Sequence, residues 1–167
     1  MVTDFQERLR QIREERDRES RAKRDVEAAL NLERLNALEQ RFDRREQIER
    51  TIEGFASKFI SEVPTFERTK SFFEGKYQIE VSTDDLLVDE HGSPQKLFSR
   101  IAFLIDTLVD AGQLTVVCKK TVRNRDQDPG SARVGISSTN IDEFARFAEQ
   151  QFFEFADAYF SGAASSR

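Results

Sequence analysis

Few side chains in the 167 residues offer chemistry, and only one of them is a histidine, His91, and one a cysteine, Cys118. A Ser-His-Asp or Cys-His arrangement needs the fold to carry His91 beside Cys118 or a serine, because the base must reach the nucleophile's proton. Glu90, His91 and Gly92 read as a turn. Cys118 sits in the run Leu114 to Lys120, where alternation puts it on the face of Val116 as a buried strand cysteine. A single cysteine closes no intrachain disulfide and builds no cysteine-based zinc site, and a single histidine cannot make a histidine-rich metal centre. The seven glycines form neither GxxxxGK[ST] nor GxGxxG, the backbone cradles for phosphate. Asp84-Asp85 and Asp89-Glu90 lie beside turn signals, where adjacent acids act as helix caps or solvated charge. The expectation is a protein that is not an enzyme, with no cofactor, metal or small-molecule ligand.

What remains are surfaces. Lys96, Ser99 and Arg100 stand at the start of one segment, and Lys119, Lys120, Arg123, Arg125 and Arg133 follow in 114–135 against only Asp126 and Asp128. Together they form a candidate nucleic-acid surface. Charge argues against it: the chain has 26 Lys and Arg against 31 Asp and Glu, a net of −5, and 64–167 holds 12 bases against 16 acids. Affinity for DNA through phosphate neutralisation calls for a wider basic face. The second surface is aromatic. There are 15 Phe and no Trp, and Phe147, Phe153 and Phe160 flank or oppose the stripe Ile141, Phe144, Ala145, Ala148, Phe152, Phe155, Tyr159. With Phe103 they are candidate protein-docking residues.

The elements that position these residues begin with a long helix. From Thr3 to Val63 there is no proline and one glycine, Gly54, which predicts a single helix of roughly 90 Å at ~1.5 Å per residue. Phe5, Leu9 and Ile12 open a 4-3 seam, Arg16, Glu19 and Lys23 interrupt it, and Val26 and Leu30 restore it. Acid-before-base spacing at Asp4-Arg8, Glu14-Arg18, Asp17-Arg21 and Glu19-Lys23 supports the interrupted stretch. The seam continues through Leu35, Leu38, Phe42, Ile48, Ile52, Phe55 and Phe59, with Arg45 making a stammer. Leu35, Leu38, Phe42, Ile48 and Ile52 are read as an oligomerisation seam. The competing reading packs the helix end near Phe55, Phe59 and Ile60 on the chain's own second domain.

After Pro64 the order reads as a short helix or turn over 66–73, a strand from Tyr77 to Val81, and a helix or strand over 83–88. A helix over 94–111 opens on Pro94, and the strands Leu114 to Val122 and Arg133 to Ser137 flank a polar loop, Asn124 to Ser131. Asn140 caps a last helix. The order over 66–137 resembles the winged-helix domain, a helix-turn-helix followed by a β-hairpin wing. It rests on element order over about 70 residues, with no motif of one family; a ββαββα sandwich fits nearly as well if 86–88 is strand. The resemblance implies 94–111 as recognition helix and 124–131 as wing tip, with Asp106 and Asp110 turned against phosphates.

The expected organisation is therefore α+β. A long, partly coiled-coil helix (1–63) precedes a small winged-helix-like domain (64–139), a C-terminal amphipathic helix (140–160) and a disordered tail (161–167). With 38% hydrophobic and 34% charged residues, against roughly 45–50% and 25% for a typical domain, part of the chain has no core of its own. No run approaches the ~18 apolar residues of a membrane span, and the charges within Met1 to Leu9 argue against a secretory signal. These features point to a cytoplasmic assembly or adaptor protein that forms homo-oligomers through the long helix and docks a protein partner. A winged-helix DNA-binding regulator, with nucleic acid as partner, is the alternative.

Overall fold

The computed structural model describes residues 2–110, 112–136 and 141–165, without the side chains of 2, 3, 107–110 and 162–165. Two compact units divide the chain, Met1–Gln40 and Arg41–Arg167. The first is the N-terminal part of α1, a helix spanning Val2–Glu62. Its side chains from Asp4 to Gln40 are all exposed, Leu35 and Leu38 included. Arg16 and Glu19 pair at 3.5 Å with both side chains mostly in solvent, an interaction that adds little stability.

In the second unit the end of α1 and α2 (Asp142–Ser165) pack on an antiparallel sheet of β1 (Glu67–Phe73), β2 (Lys76–Val88), β3 (Pro94–Asp110), β4 (Gln113–Val122), β5 (Arg125–Asp126) and β6 (Gly130–Gly135). Strand order follows chain order, with β5 and β6 both paired to β4. Tight two-residue turns make this meander. Glu74 and Gly75 (φ 53° and 77°) join Phe73 to Lys76, and Arg123 and Asn124 (φ 48° and 66°) join Val122 to Arg125. Positive φ at both central residues is the hairpin geometry that matches strand twist.

Period-2 alternation turns Ile79 and Val81, Ile101, Phe103 and Ile105, and Leu114, Val116 and Cys118 to one face, where all are buried. Ile48, Ile52 and Ala56 of α1, with Phe144, Ala148, Phe152 and Phe155 of α2, cover that face. Arg45 marks the start of the covered segment. Its guanidinium lies 4.1 Å from the centroid of the Tyr77 ring and 4.8 Å from that of Phe42. Farther along, Lys70 of β1 reaches Glu53 at 2.7 Å and Glu49 at 3.7 Å. The hydrogen bond from Lys70 to Glu53 raises the ammonium's pKa above its usual range.

Several expectations need correction. The short helix or turn expected over 66–73 and the helix expected over 94–111 are strands, 67–73 and 94–110, so the described residues contain no helix-turn-helix. The cause is that Phe98, Ala102 and Leu104 put apolar groups on the second face of β3. The segment then satisfies the helical and the strand period together, and pairing with β2 and β4 on its two sides decides for strand. The second of the two readings of 83–88, strand, is the one found. Ile48 and Ile52 belong to the core and not to an oligomerisation seam. The tail read as disordered from 161 is helical through Ser165. Ala111, the strand end at Ser137, the cap at Asn140, the tail residues Ser166 and Arg167, and the side chain of Asp110 lie outside the described residues.

Ile52 is fully buried and Leu38 is 57% exposed, so truncation should separate the two parts of α1. In urea unfolding of the dilute chain, Ile52→Ala is expected to cost about 2–5 kcal/mol, and Leu38→Ala to stay within about 0.5 kcal/mol of the parent.

Candidate docking site

Phe152 and Phe153 are adjacent on α2 and so point about 100° apart; both cannot face the sheet. Phe152 is buried against Phe103 at 5.4 Å between ring centroids, and Phe153 is left 60% exposed. Tyr159 and Phe160 repeat the division, with Tyr159 buried and Phe160 52% exposed. Phe153, Ala156 and Phe160 thus form a second stripe at i, i+3, i+7. Phe55 and Phe59 of α1, with Val63 just past its end, form a matching row at i, i+4, i+8. Phe55 meets Phe152 at 6.3 Å and Phe59 meets Phe155 at 5.7 Å, so the two helices run in the same direction. Between them lies a groove of roughly 360 Å³, with Lys58, Glu62 and Glu149 as its charged lining. Its floor of phenylalanine rings has no nucleophile and no acid–base pair. Such a floor can bury apolar side chains.

The residues expected to act elsewhere are distributed by the same fold. Of the docking candidates, Phe153 and Phe160 line the groove, Phe103 is buried beneath α2, and Phe147 is half-buried at 6.0 Å from Phe144. Of the seam candidates, Leu35, Leu38 and Phe42 are exposed.

The nucleic-acid candidates do not form one surface. Ser99 is buried and accepts a 2.9 Å hydrogen bond from the Arg123 backbone N–H. The Arg123 guanidinium donates to the Tyr159 carbonyl at 2.7 Å and lies 4.5 Å from the centroid of that ring. Lys120, 4% exposed, donates to Gln151 at 2.6 Å and to Glu154 at 2.7 Å. Lys96 pairs with Asp84 at 3.3 Å. Arg100, Lys119 and Lys120 line one hollow of roughly 330 Å³ beside Asp126, while Arg125 and Arg133 are exposed.

The helix-facing surface of the sheet therefore takes up bases that the spacing suggested for DNA. A glycine helps: a Cβ on Gly130 would stand 2.5 Å from the Gln151 side chain, so glycine there leaves room for the amide that receives Lys120. Beside Arg123, the Tyr159 hydroxyl donates to Asp85 at 2.9 Å. Burial, with Asp85 adding to it, pushes the phenol up to about 12. Neither Gln151 nor Glu154 is singled out in the sequence, where Tyr159 stands only in the apolar stripe of the last helix and Asp85 only as an acid beside a turn. Arg45 alone carried a signal, a charge at a seam position. His91 and Cys118 are not brought together, since His91 lies in the exposed turn between β2 and β3 and Cys118 is fully buried on β4. Burial pushes the thiol up to about 12.

No helix among the described residues is long and apolar enough to cross a membrane. Comparison with family models, curated proteins and solved structures gave no match.

Two measurements check this electrostatic layout. The hydrogen bond from Lys120 holds Glu154 below the ordinary 4.5, so its stabilisation is full above that value and fades as pH falls through the lowered pKa. Glu154→Ala is expected to cost about 1–2 kcal/mol at pH 7, less than a fully buried pair because this carboxylate is half exposed, and progressively less as pH falls through the lowered pKa. Lys120→Met removes the same pair and should flatten the same pH dependence. Separately, Cys118 should resist a thiol reagent in the native state and react promptly in denaturant; fast native labelling would contradict its burial.

Proposed function

We propose that this chain is a non-enzymatic assembly or adaptor protein whose second unit docks an amphipathic helix of a protein partner in the groove between α1 and α2. One observation carries the reading: Phe153 and Phe160 are more than half exposed on a stripe that faces Phe55 and Phe59 across an open apolar channel. Exposed aromatic groups in a concave site are what helix-in-groove recognition uses. Covering the exposed half of each ring is worth about 1 kcal/mol. Self-association through Leu35, Leu38 and Phe42 belongs to the same reading, because that apolar row lies in solvent on the first unit's side of the chain and at its boundary. Basic residues turned into the sheet–helix contact, Lys120 and Arg123 above all, weigh against a DNA-binding role.

The chain contains no tryptophan, so a tryptophan placed on a synthetic helix reports its own binding. A helical peptide with apolar residues at i, i+4 and i+7 is expected to bind the wild-type chain and to bind Phe160→Asp at least tenfold more weakly; the same composition with scrambled spacing should bind neither. Equal binding to the wild type and to Phe160→Asp would refute the groove as docking site.

A further inference from the structure

The groove's occupant can be named from this chain's own surface. Phe5, Leu9 and Ile12 lie at i, i+4, i+7 on one face of α1, each at least half exposed. The next positions of that face, Arg16, Glu19 and Lys23, are charged, so the stripe is an isolated three-residue anchor and not the start of a continuous seam. It is roughly 10 Å long at ~1.5 Å per residue. The groove walls match it. Phe153 to Phe160 spans roughly 10 Å on α2, and Phe55 to Val63 roughly 12 Å along α1 and just past its end.

Charge selects one orientation. Around the stripe, Arg13 projects on one flank, and Arg8 and Glu15 on the other, as the 100° rotation per residue requires. The α2 wall carries Glu149 at the Phe55 end; the α1 wall carries Lys58 at the same end and Glu62 towards Val63. Laid antiparallel to both walls, the stripe brings Arg13 to Glu149, Arg8 to Glu62 and Glu15 to Lys58, three opposite-charge pairs, with Asp4 beside Arg8 on the Glu62 side. Laid parallel, it turns Asp4, Arg8 and Glu15 to the Glu149 wall and Arg13 to the wall of Lys58 and Glu62, which leaves two such pairs, Arg8 with Glu149 and Arg13 with Glu62.

We propose that the groove of one copy receives the Phe5, Leu9 and Ile12 stripe of a second copy, antiparallel to its α1 and α2 walls. The inference rests on the docking reading above. Each copy offers one stripe and one groove. Two copies that exchange stripes reciprocally form a closed isologous dimer, and a single head-to-tail contact is heterologous and extends.

The test uses full-length chains carrying Leu38→Asp, so that the separate row at Leu35 and Leu38 contributes nothing, and reads association by sedimentation velocity. The parent is expected to associate with rising concentration. Adding Leu9→Asp or Phe160→Asp should weaken association at least tenfold; both positions are exposed, so neither change threatens the core. An equimolar mixture of the two variants should regain association but stop at the dimer, because one good stripe then meets one good groove. Glu149→Arg alone should weaken association, and Arg13→Glu in the same chain should restore it. A parent that stays monomeric through the micromolar range overturns the proposal, as does a mixture that fails to recover. Association that survives Leu9→Asp and is lost only with Phe160→Asp also overturns it, in favour of groove meeting groove, and leaves the docking reading intact. That reading fails separately, if the tryptophan peptide ignores Phe160→Asp.

Discussion

Three rings close on Phe59: Phe66 at 4.9 Å, edge-on, Phe155 at 5.7 Å and Phe152 at 5.9 Å. This contact joins α1, the segment leading into β1, and α2, and the rest of the second unit depends on it. A single antiparallel meander has two faces and can leave only one in water. Here the apolar face is too broad for one helix, so the chain lays one helix over each half and fills the line between them with phenylalanine. Close-packed rings at these separations add perhaps 0.5–1.5 kcal/mol per pair beyond the area they bury. Two helices set side by side on a sheet also leave a furrow above the line where they meet, and the surplus aromatics of α2 make that furrow apolar. The groove is thus a consequence of how the sheet is covered.

Polar residues within the covered layer hold the helices in place. Arg123 takes a left-handed backbone conformation, uncommon for a residue with a side chain, and in return its N–H reaches Ser99 and its guanidinium reaches the last turns of α2. Lys120 fixes the middle of the same helix through Gln151 and Glu154. Asn124 extends the anchoring outward, its side-chain oxygen accepting from the Phe98 N–H and its own N–H donating to the Phe98 carbonyl, as a neighbouring strand would. These contacts explain why a segment rich in bases presents no broad basic face. Lys120 and Arg123, two of its five bases, serve internal geometry instead.

The α+β class, the length of α1, the amphipathic α2 and the buried strand position of Cys118 were legible because each rests on local composition or a single period. The readings of 66–73 and 94–111 failed because both depend on non-local pairing. Glu74-Gly75 and Arg123-Asn124 are two-residue turns whose side chains lack the usual Asn-Gly signature, so the hairpins they close were invisible in the residues. The groove was half legible. Phe153 and Phe160 stand out as rings without a core to enter, but of their facing row Phe55 and Phe59 read as part of the seam of α1, and the spacing does not decide between that seam and packing of the long helix on α2.

The helix α1 is held by two different means: its end from Ile48 to Glu62 is part of the sheet's core, and its exposed residues before Gln40 have only helical hydrogen bonds of their own when the chain is dilute. Native-state hydrogen exchange at a concentration where the chain is monomeric tests this most directly, because exchange reads local opening residue by residue. Amides from Ile52 to Phe59 should exchange only through global unfolding, with the same denaturant dependence as Val116 and Cys118 on β4, and amides from Leu9 to Leu35 should exchange orders of magnitude faster. Uniform protection along the whole of α1, or exchange of the Ile52 to Phe59 amides ahead of β4, would contradict it.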